Sequence, residues 1–319
     1  MSNALLEVVN LKVYFYTLSG VVRAVDDVSL SVLPGEWIGI VGESGSGKST
    51  LAYAIAKIVP PPGRIVGGKV KFMNRDLMEL NEEAMRGIRG RHIGFVFQDP
   101  LTSLDPLRTV GDQLAEVIQV HLGVGREEAI REAGELLELV NIPRDRLNYY
   151  PHQLSGGQRQ RIVIAISIAL RPELLIADEP TTALDVIVQD QIMDLLKEVQ
   201  MKGASIMLIT HDVALAAEMA NRIAIMYAGE IVEYGDTRSI INAPLHPYTA
   251  GLVNSVPDLW SAKTIKSIPG FPPDLRNPSP GCRFHPRCRQ ALSICINERP
   301  PMTIVEHDRC IACWLYLKR

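Results

Sequence analysis

Cysteine is missing from the first 281 of the 319 residues, so no disulfide framework can hold that part of the chain. Neither sign of charge dominates. Thirty-three Lys and Arg against 36 Asp and Glu leave a formal net charge of -3, which gives no general attraction to nucleic acid or anionic lipid. The longest largely apolar run, Ile162 to Leu170, has nine residues, about half of the ~20 that a membrane helix needs. The stretch from Met1 to Asn10 has neither a basic start nor a continuous apolar core, so a secretory leader is not expected. Internal repeats and low-complexity tracts are also absent. The expectation is a soluble globular chain, at most peripheral to a membrane.

What is present suffices for a sizeable core, since 47% of residues are hydrophobic. All five cysteines lie in the last 38 residues, and 11 of 21 prolines fall in residues 241 to 319. This shift in composition places a boundary near residue 240, with a domain over 1–240 and an irregular Cys/Pro-rich extension over 241–319. Before the boundary, residues 5 to 41 read as short β-branched runs ending in a buried strand, Glu36 to Val41. A glycine-rich turn follows, then a helix over Leu51 to Lys57, stopped by Pro60, Pro61 and Pro62. From about 105 to 161 the pattern is helical without a convincing strand. Strand signals return at Glu173–Ala177, Ser205–Thr210 and Arg222–Tyr227, with a helical pattern from about Val188 to Lys202 between the first two. Alternation of that kind predicts an α/β fold with a parallel sheet covered by helices.

Gly42 to Ser49 matches G-x-x-x-x-G-K-[ST] between the strand and the helix that this motif requires. At ordinary glycine content a chain of this length matches by chance roughly once in a hundred. Its glycines let successive backbone N–H groups turn toward phosphate oxygens, and the helix N-terminus adds its positive end. In this loop Lys48 would neutralise β- and γ-phosphate charge, and the Ser49 hydroxyl would hold Mg²⁺. Further along, Asp178 and Glu179 close the apolar run that starts at Leu174, where ligands of open α/β sheets gather. Asp178 would orient Mg²⁺ and its waters, and Glu179 would polarise the attacking water or accept its proton. An acidic strand end alone is as often a solvated turn. A phosphate loop earlier in the chain tips the balance.

The segment Leu154-Ser155-Gly156-Gly157-Gln158, followed by an apolar helical run, resembles the signature of the ABC ATPase family. Loose Ser-Gly-Gly is usually a flexible turn, but here the rest of the family's set stands in order around it. Gln98 resembles the Q-loop glutamine, Ala183-Leu184-Asp185 the D-loop, and His211 the switch histidine that senses the γ-phosphate. Six motifs in family order span residues 42 to 211.

The resemblance implies a P-loop ABC ATPase: a RecA-like parallel sheet, an antiparallel β subdomain, and a helical subdomain inserted at about 105–161. It implies ATP and Mg²⁺ as ligands. The nucleotide contacts would come from Gly42, Ser44, Gly45, Ser46, Gly47, Lys48, Ser49, Thr50, Asp178 and Gln98, with Ser155, Gly157 and Gln158 supplied to a facing cassette. Catalysis would rest on Glu179, His211, Gln98 and Lys48, and Mg²⁺ on Ser49, Gln98 and Asp178. By the family's spacing Phe15 is the residue expected to stack on adenine, with Tyr14 and Tyr16 as its rivals; all three also suit an aromatic edge strand.

Pro244 to Thr249, the Gln98 to Pro106 segment and Gly281 to Cys288 resemble the ATPases of the dipeptide, oligopeptide and nickel permeases, over nearly the entire chain. This implies an importer subunit at the cytoplasmic face of the cell membrane, with di- or oligopeptides as the leading substrate class and nickel or another small solute as the alternative. The implied partners are a second nucleotide-binding subunit, usually a paralogue, two membrane permease subunits, and indirectly an extracytoplasmic substrate-binding protein. An ABC ATPase acting on nucleic acid would usually carry coiled-coil insertions, a second cassette or basic arms, none of which is found. Cys282, Cys288, Cys295 and Cys313 resemble a four-cysteine [4Fe–4S] site over residues 282–313, with Cys310 as an alternative fourth ligand. Structural zinc and free or regulatory thiols remain the competing readings, as does a redox sensor controlling the ATPase.

Overall fold

A computed structural model describes residues 4–182, 184–255, 267–306 and 309–317. Its strands are β1 (Leu6–Thr17), β2 (Gly20–Val32), β3 (Trp37–Val41), β4 (Gly63–Phe72), β5 (Arg75–Asp76), β6 (Ile93–Val96), β7 (Leu174–Asp178), β8 (Ser205–Thr210), β9 (Arg222–Tyr227), β10 (Glu230–Asp236), β11 (Thr303–Glu306) and β12 (Arg309–Ile311). The chain divides into two compact units. The first comprises Met1–Val32, Trp37–Met78 and Leu208–Arg319, and the second Leu33–Glu36 and Glu79–Met207.

In the first unit β2, β1, β4 and β5 form an antiparallel sheet. Burial alternates along β1, with Leu6, Val8, Leu11 and Val13 inside, as a sheet with one wet face requires. The same unit holds the strand order β11-β12-β10-β9-β3. β3 and β9 pair in parallel, and β9 turns antiparallel into β10 through Ala228 and Gly229, both at positive φ. Every residue of β3 is buried, which explains its unbroken apolar run. Strands β11 and β12 belong to the extension, and β12 hydrogen-bonds to β10, with Glu233 opposite Ile311 and Tyr234 opposite Cys310.

In the second unit β6 and β7 pair in parallel, joined by helices Glu82–Ile88, Val110–Leu122, Arg126–Leu139, Gly156–Ile168 and Val186–Met201. Their starts are capped by the residues that sequence favours: Thr109 accepts from the Asp112 amide, Ser155 from Gln158 and Asp185 from Val188. Gly94 admits no side chain, because a Cβ there would lie 2.2 Å from the Ser167 carbonyl oxygen. β8 begins in this unit and ends in the other.

Strands read from the apolar runs at 173–177, 205–210 and 222–227 coincide with β7, β8 and β9 within one residue. The periodicity does not separate β4, β6, β10, β11 and β12. Each is short, half-exposed or charged along its length, so the two-residue period is interrupted. No helix among the described residues is long and apolar enough to cross a membrane.

A fully buried carboxylate anchors the extension within the first unit. Glu233 on β10 accepts from the amides of Leu245 (3.1 Å) and His246 (3.0 Å) and from Arg309 Nε (3.1 Å), while Arg309 Nη2 also donates to the Ala243 carbonyl at 2.5 Å. Removing one partner of such a pair strands the other charge in a dry place. Arg309→Met is therefore expected to cost about 3–5 kcal/mol in urea unfolding, and adding Glu233→Gln should recover part of that loss.

Candidate functional site

The phosphate loop, in the first unit, is shaped by close backbone approaches. A Cβ on Gly42 would lie 2.1 Å from the Met226 carbonyl oxygen, and one on Gly47 would lie 2.0 Å from that of Ala24. Gly47 also sits at φ 103° and Gly45 at φ 76°, where L side chains are strained. Gly47 starts the helix Lys48–Ile55 without offering a side-chain acceptor to its amides, which leaves the helix start suited to an anion. Ser46 is buried, and its Oγ has no hydrogen-bond partner among the described residues. Lys48 is buried as well, and its Nζ donates to the carbonyls of Gly42 (2.8 Å) and Glu43 (3.0 Å). Ser44 is exposed, while Ser49 and Thr50 are half-buried on the first turn of the helix. A cradle closed to side chains, an orphan hydroxyl and a buried ammonium together fit a polyphosphate.

In the same unit His211 is exposed between the end of β8 and the helix Val213–Met219, whose cap is Asp212. Phe15 on β1 lies opposite Gly63 of β4, and a Cβ on that glycine would come 2.7 Å from the Phe15 ring. Its rivals are engaged elsewhere. Tyr14 donates from its hydroxyl to Asp26 Oδ1 at 2.8 Å, and Arg64 stands 5.5 Å from the centroid of the Tyr16 ring.

The second unit holds the remaining predicted residues. Asp178 is fully buried as the last residue of β7, and Glu179 follows at φ 46°, a left-handed turn that swings it out of strand direction. Glu179 Oε2 accepts from Gln98 Nε2 at 3.1 Å and from Thr182 Oγ1 at 3.0 Å. Two residues separated by 81 positions are thus brought together. Ser155 and Gln158 form a reciprocal capping box: the Gln158 amide donates to Ser155 Oγ at 3.3 Å and the Ser155 amide to Gln158 Oε1 at 3.1 Å. A Cβ on Gly157 would meet Val188 Cγ1 at 2.7 Å, so a side chain there would displace Val188. Of the expected D-loop, Ala183 lies outside the described residues, and Asp185 caps the helix Val186–Met201.

The cysteines need a correction. Cys282, Cys288, Cys295 and Cys313 are neighbours in the first unit, and the Cys282 amide donates to the Cys295 carbonyl at 2.9 Å. Burial pushes the Cys282 thiol up to about 12 and the Cys313 thiol up to about 11. Charge on Cys295 or Cys313 raises Cys282 further, and charge on Cys288 or Cys295 raises Cys313. Yet no three His, Cys, Asp or Glu side chains among the described residues are grouped to hold a metal ion. Among the described residues, the expected metal centre over residues 282–313 is therefore not a preassembled group of ligand side chains. Cys310 lies on β12 opposite Tyr234 and Ile304.

Local patterns gave no sign of several residues that surround the loop. Glu43 carries a carboxylate inside the glycine-rich segment, and Arg287 holds it with two hydrogen bonds, at 2.6 and 2.9 Å. Arg283 is buried against Asp26 and lies 2.8 Å from Glu230. The available signal was an arginine on the inner side of each cysteine of the 282–288 segment.

Parallel strands, a glycine cradle with a buried lysine, and an acid pair at a strand end define a phosphate-loop nucleotide-binding cassette. The model of the ABC transporter family matches residues 25–182, and that of the oligopeptide/dipeptide transporter C-terminal region matches residues 232–295. The chain belongs to the family of ABC transporter ATP-binding proteins. It is 46% identical to the dipeptide transport ATP-binding protein DppD of Bacillus subtilis, over 98% of this chain and 95% of that one. With the oligopeptide transport ATP-binding protein OppD of Salmonella typhimurium it shares 45% identity, over 98% and 94% of the two chains. Among solved structures it is similar to the dimeric ATP-binding cassette MJ0796 in a post-hydrolysis state bound to ADP and Pi. That likeness has a TM-score of 0.67 and 32% identity, and covers 73% of this chain and 99% of that one.

Gly47→Ala should leave no room for the loop as it stands. Loss of MgATP binding by equilibrium titration is expected, together with a fall in melting temperature from the displaced Ala24 backbone.

Proposed function

We propose that the chain is the ATP-hydrolysing subunit of an importer of di- and oligopeptides, with nucleotide-driven closure of two cassettes coupled to separate membrane permease subunits. The observation that carries the hydrolytic part is the Glu179 carboxylate, turned out of β7 and oriented by Gln98 and Thr182. A carboxylate held at two points keeps a fixed direction, which is what a group that polarises a water needs. The loop residues Gly42 to Thr50 bind the phosphates, Lys48 neutralises their charge, and Phe15 stacks on the base. Ser49, Asp178 and Gln98 would hold Mg²⁺, which would supply charge neutralisation at the phosphates. His211 senses the γ-phosphate.

Ser155, Gly157 and Gln158 serve the facing cassette. The capping box fixes the start of the helix Gly156–Ile168 and occupies the Gln158 amide, so an incoming phosphate would meet the Gly156 and Gly157 amides. With one phosphate loop and one signature per chain, two cassettes complete each other's sites, and we assign the second to a paralogous subunit at the cytoplasmic face of the membrane. The peptide substrate class is supported by the identity to dipeptide and oligopeptide transport proteins along nearly the whole chain. An extracytoplasmic binding protein would deliver the peptide.

Glu179→Gln is expected to bind MgATP, lose more than about 100-fold in ATPase rate, and accumulate as a closed cassette pair with its partner subunit in light scattering. Free monomer under those conditions, or an undiminished rate, would overturn this reading.

A [4Fe–4S] cluster on Cys282, Cys288, Cys295 and Cys313 is the finer proposal for the extension. A cubane binds each thiolate to a different iron, so its ligands need not converge on one point as those of a single ion do. The Cys282 amide bonded to the Cys295 carbonyl already holds two of the four cysteines side by side. Anaerobic purification should give brown protein with about four irons per chain, retained in Cys310→Ser and lost in Cys313→Ser. Colourless, iron-free protein would reject the cluster.

A further inference from the structure

Glu43 is an unexpected residue for its place. It follows Gly42 directly, so a carboxylate stands within a loop built to receive anions, where its charge opposes phosphate. Glu43 is held at three points, two of them by groups from outside its own loop. Its carboxylate receives two hydrogen bonds from Arg287, Nη1 at 2.6 Å and Nη2 at 2.9 Å. Its amide donates to the Tyr248 hydroxyl at 2.9 Å, and its carbonyl accepts from Lys48 Nζ at 3.0 Å.

Both outside anchors come from the segment after residue 240, and both are themselves fixed. Arg287 is buried, its Nε donates to the Pro269 carbonyl at 2.7 Å, and its guanidinium stands 5.7 Å from the Tyr227 ring centroid. Tyr248 is fully buried in an aromatic cluster, 4.5 Å from Tyr227 and 5.4 Å from Phe284 between ring centroids. Neither can follow Glu43 if the loop shifts. A surface ion pair would contribute little, but this one is bidentate and sheltered, so it is both strong and directional.

We propose that Arg287 and Tyr248 are positioning residues of the nucleotide site: they neutralise and immobilise Glu43, and through it set the phosphate loop and Lys48 for MgATP. The proposal rests on the reading of residues 42–50 as the ATP site. It makes the extension a determinant of nucleotide affinity, beyond any contact it makes with partners. Without Arg287, the Glu43 carboxylate would confront the nucleotide unneutralised and the Lys48 contact would lose its fixed acceptor.

The test is calorimetric titration of the full-length chain with MgATP, with ATPase kinetics of the chain assembled with its partner subunit alongside. Arg287→Gln is expected to weaken MgATP binding and raise KM about tenfold, a size typical of coupling between two sites, while kcat stays within about twofold. Tyr248→Phe should raise KM by a smaller factor. Adding Glu43→Gln to Arg287→Gln should bring the KM back toward that of the unaltered chain, because the opposing charge is gone. A role confined to fold stability predicts no such rescue. Should Arg287→Gln fail to fold, Arg287→Lys, which keeps the charge but loses the bidentate grip, and Tyr248→Phe test the immobilisation of Glu43, with a raised KM expected for each. Unchanged affinity in the folded variants, or a double variant as weak as Arg287→Gln, would overturn the proposal. If the unaltered chain does not bind MgATP, or binds it as well with Lys48→Ala, the ATP-site reading falls and this proposal with it.

Discussion

The closest constraint in the molecule is the contact of the phosphate loop with the strands beneath it. Gly42 and Gly47 leave no space for a Cβ between themselves and the carbonyls of Met226 and Ala24. The loop therefore inherits its shape from β9 and β2, and anything that moves those strand ends moves the phosphate cradle. The Gly229 amide reinforces the tie by donating to the Ser46 carbonyl at 2.8 Å, and the Asp26 amide returns to the Gly229 carbonyl at 2.8 Å. A rigid loop with inward amides has already lost the entropy that ordering around an anion would cost, which is the physical sense of preorganisation.

That contact explains why the extension matters. Arg283 donates to the Ala228 carbonyl at the turn beside Gly229 and pairs with Asp26 on β2, where Arg299 also lies 3.6 Å from Asp26. Burial alone would push the Asp26 carboxyl up. The Tyr14 hydroxyl and the charges of Arg283 and Arg299 together outweigh it and hold the group below its ordinary value of 3.8. A carboxylate depressed in the fold contributes stability above its unfolded pKa and loses it as pH falls through the folded one, so this support is present at neutral pH. The backbone on which Gly47 rests is thus steadied by residues more than 250 positions away in the chain.

This separation in sequence marks the limit of what the residues alone could tell. The glycine-rich turn from Gly42 to Ser49 and the strand end at Asp178 and Glu179 were legible because a local turn or strand end demands those residue types at a fixed spacing. β3, β7, β8 and β9 were legible because a strand buried on both faces must be continuously apolar. Glu43, Asp26 and Glu233 were not, since an acidic residue in a loop or strand reads as solvated until its partner is located, and that partner is an arginine 76 to 257 positions distant. The clustering of the cysteines was legible, but whether their side chains converge was not, and among the described residues no three ligand side chains are grouped to hold a metal ion.

Three arginines of the extension, Arg283, Arg287 and Arg309, reach three acids that lie respectively on β2, in the phosphate loop and on β10. Hydrophobic contacts could have docked the same segment at lower cost, because burying a charge pair forfeits hydration that its attraction only partly returns. What a bidentate pair adds is direction: Arg287 grips Glu43 in one geometry, whereas an apolar patch tolerates sliding. A loop whose amides must meet phosphate oxygens within a few tenths of an ångström gains more from direction than from adhesion. On that argument the extension is charged at its inner surface because it fixes a position, and the chosen position is the one residue of the loop whose own charge would otherwise oppose the nucleotide.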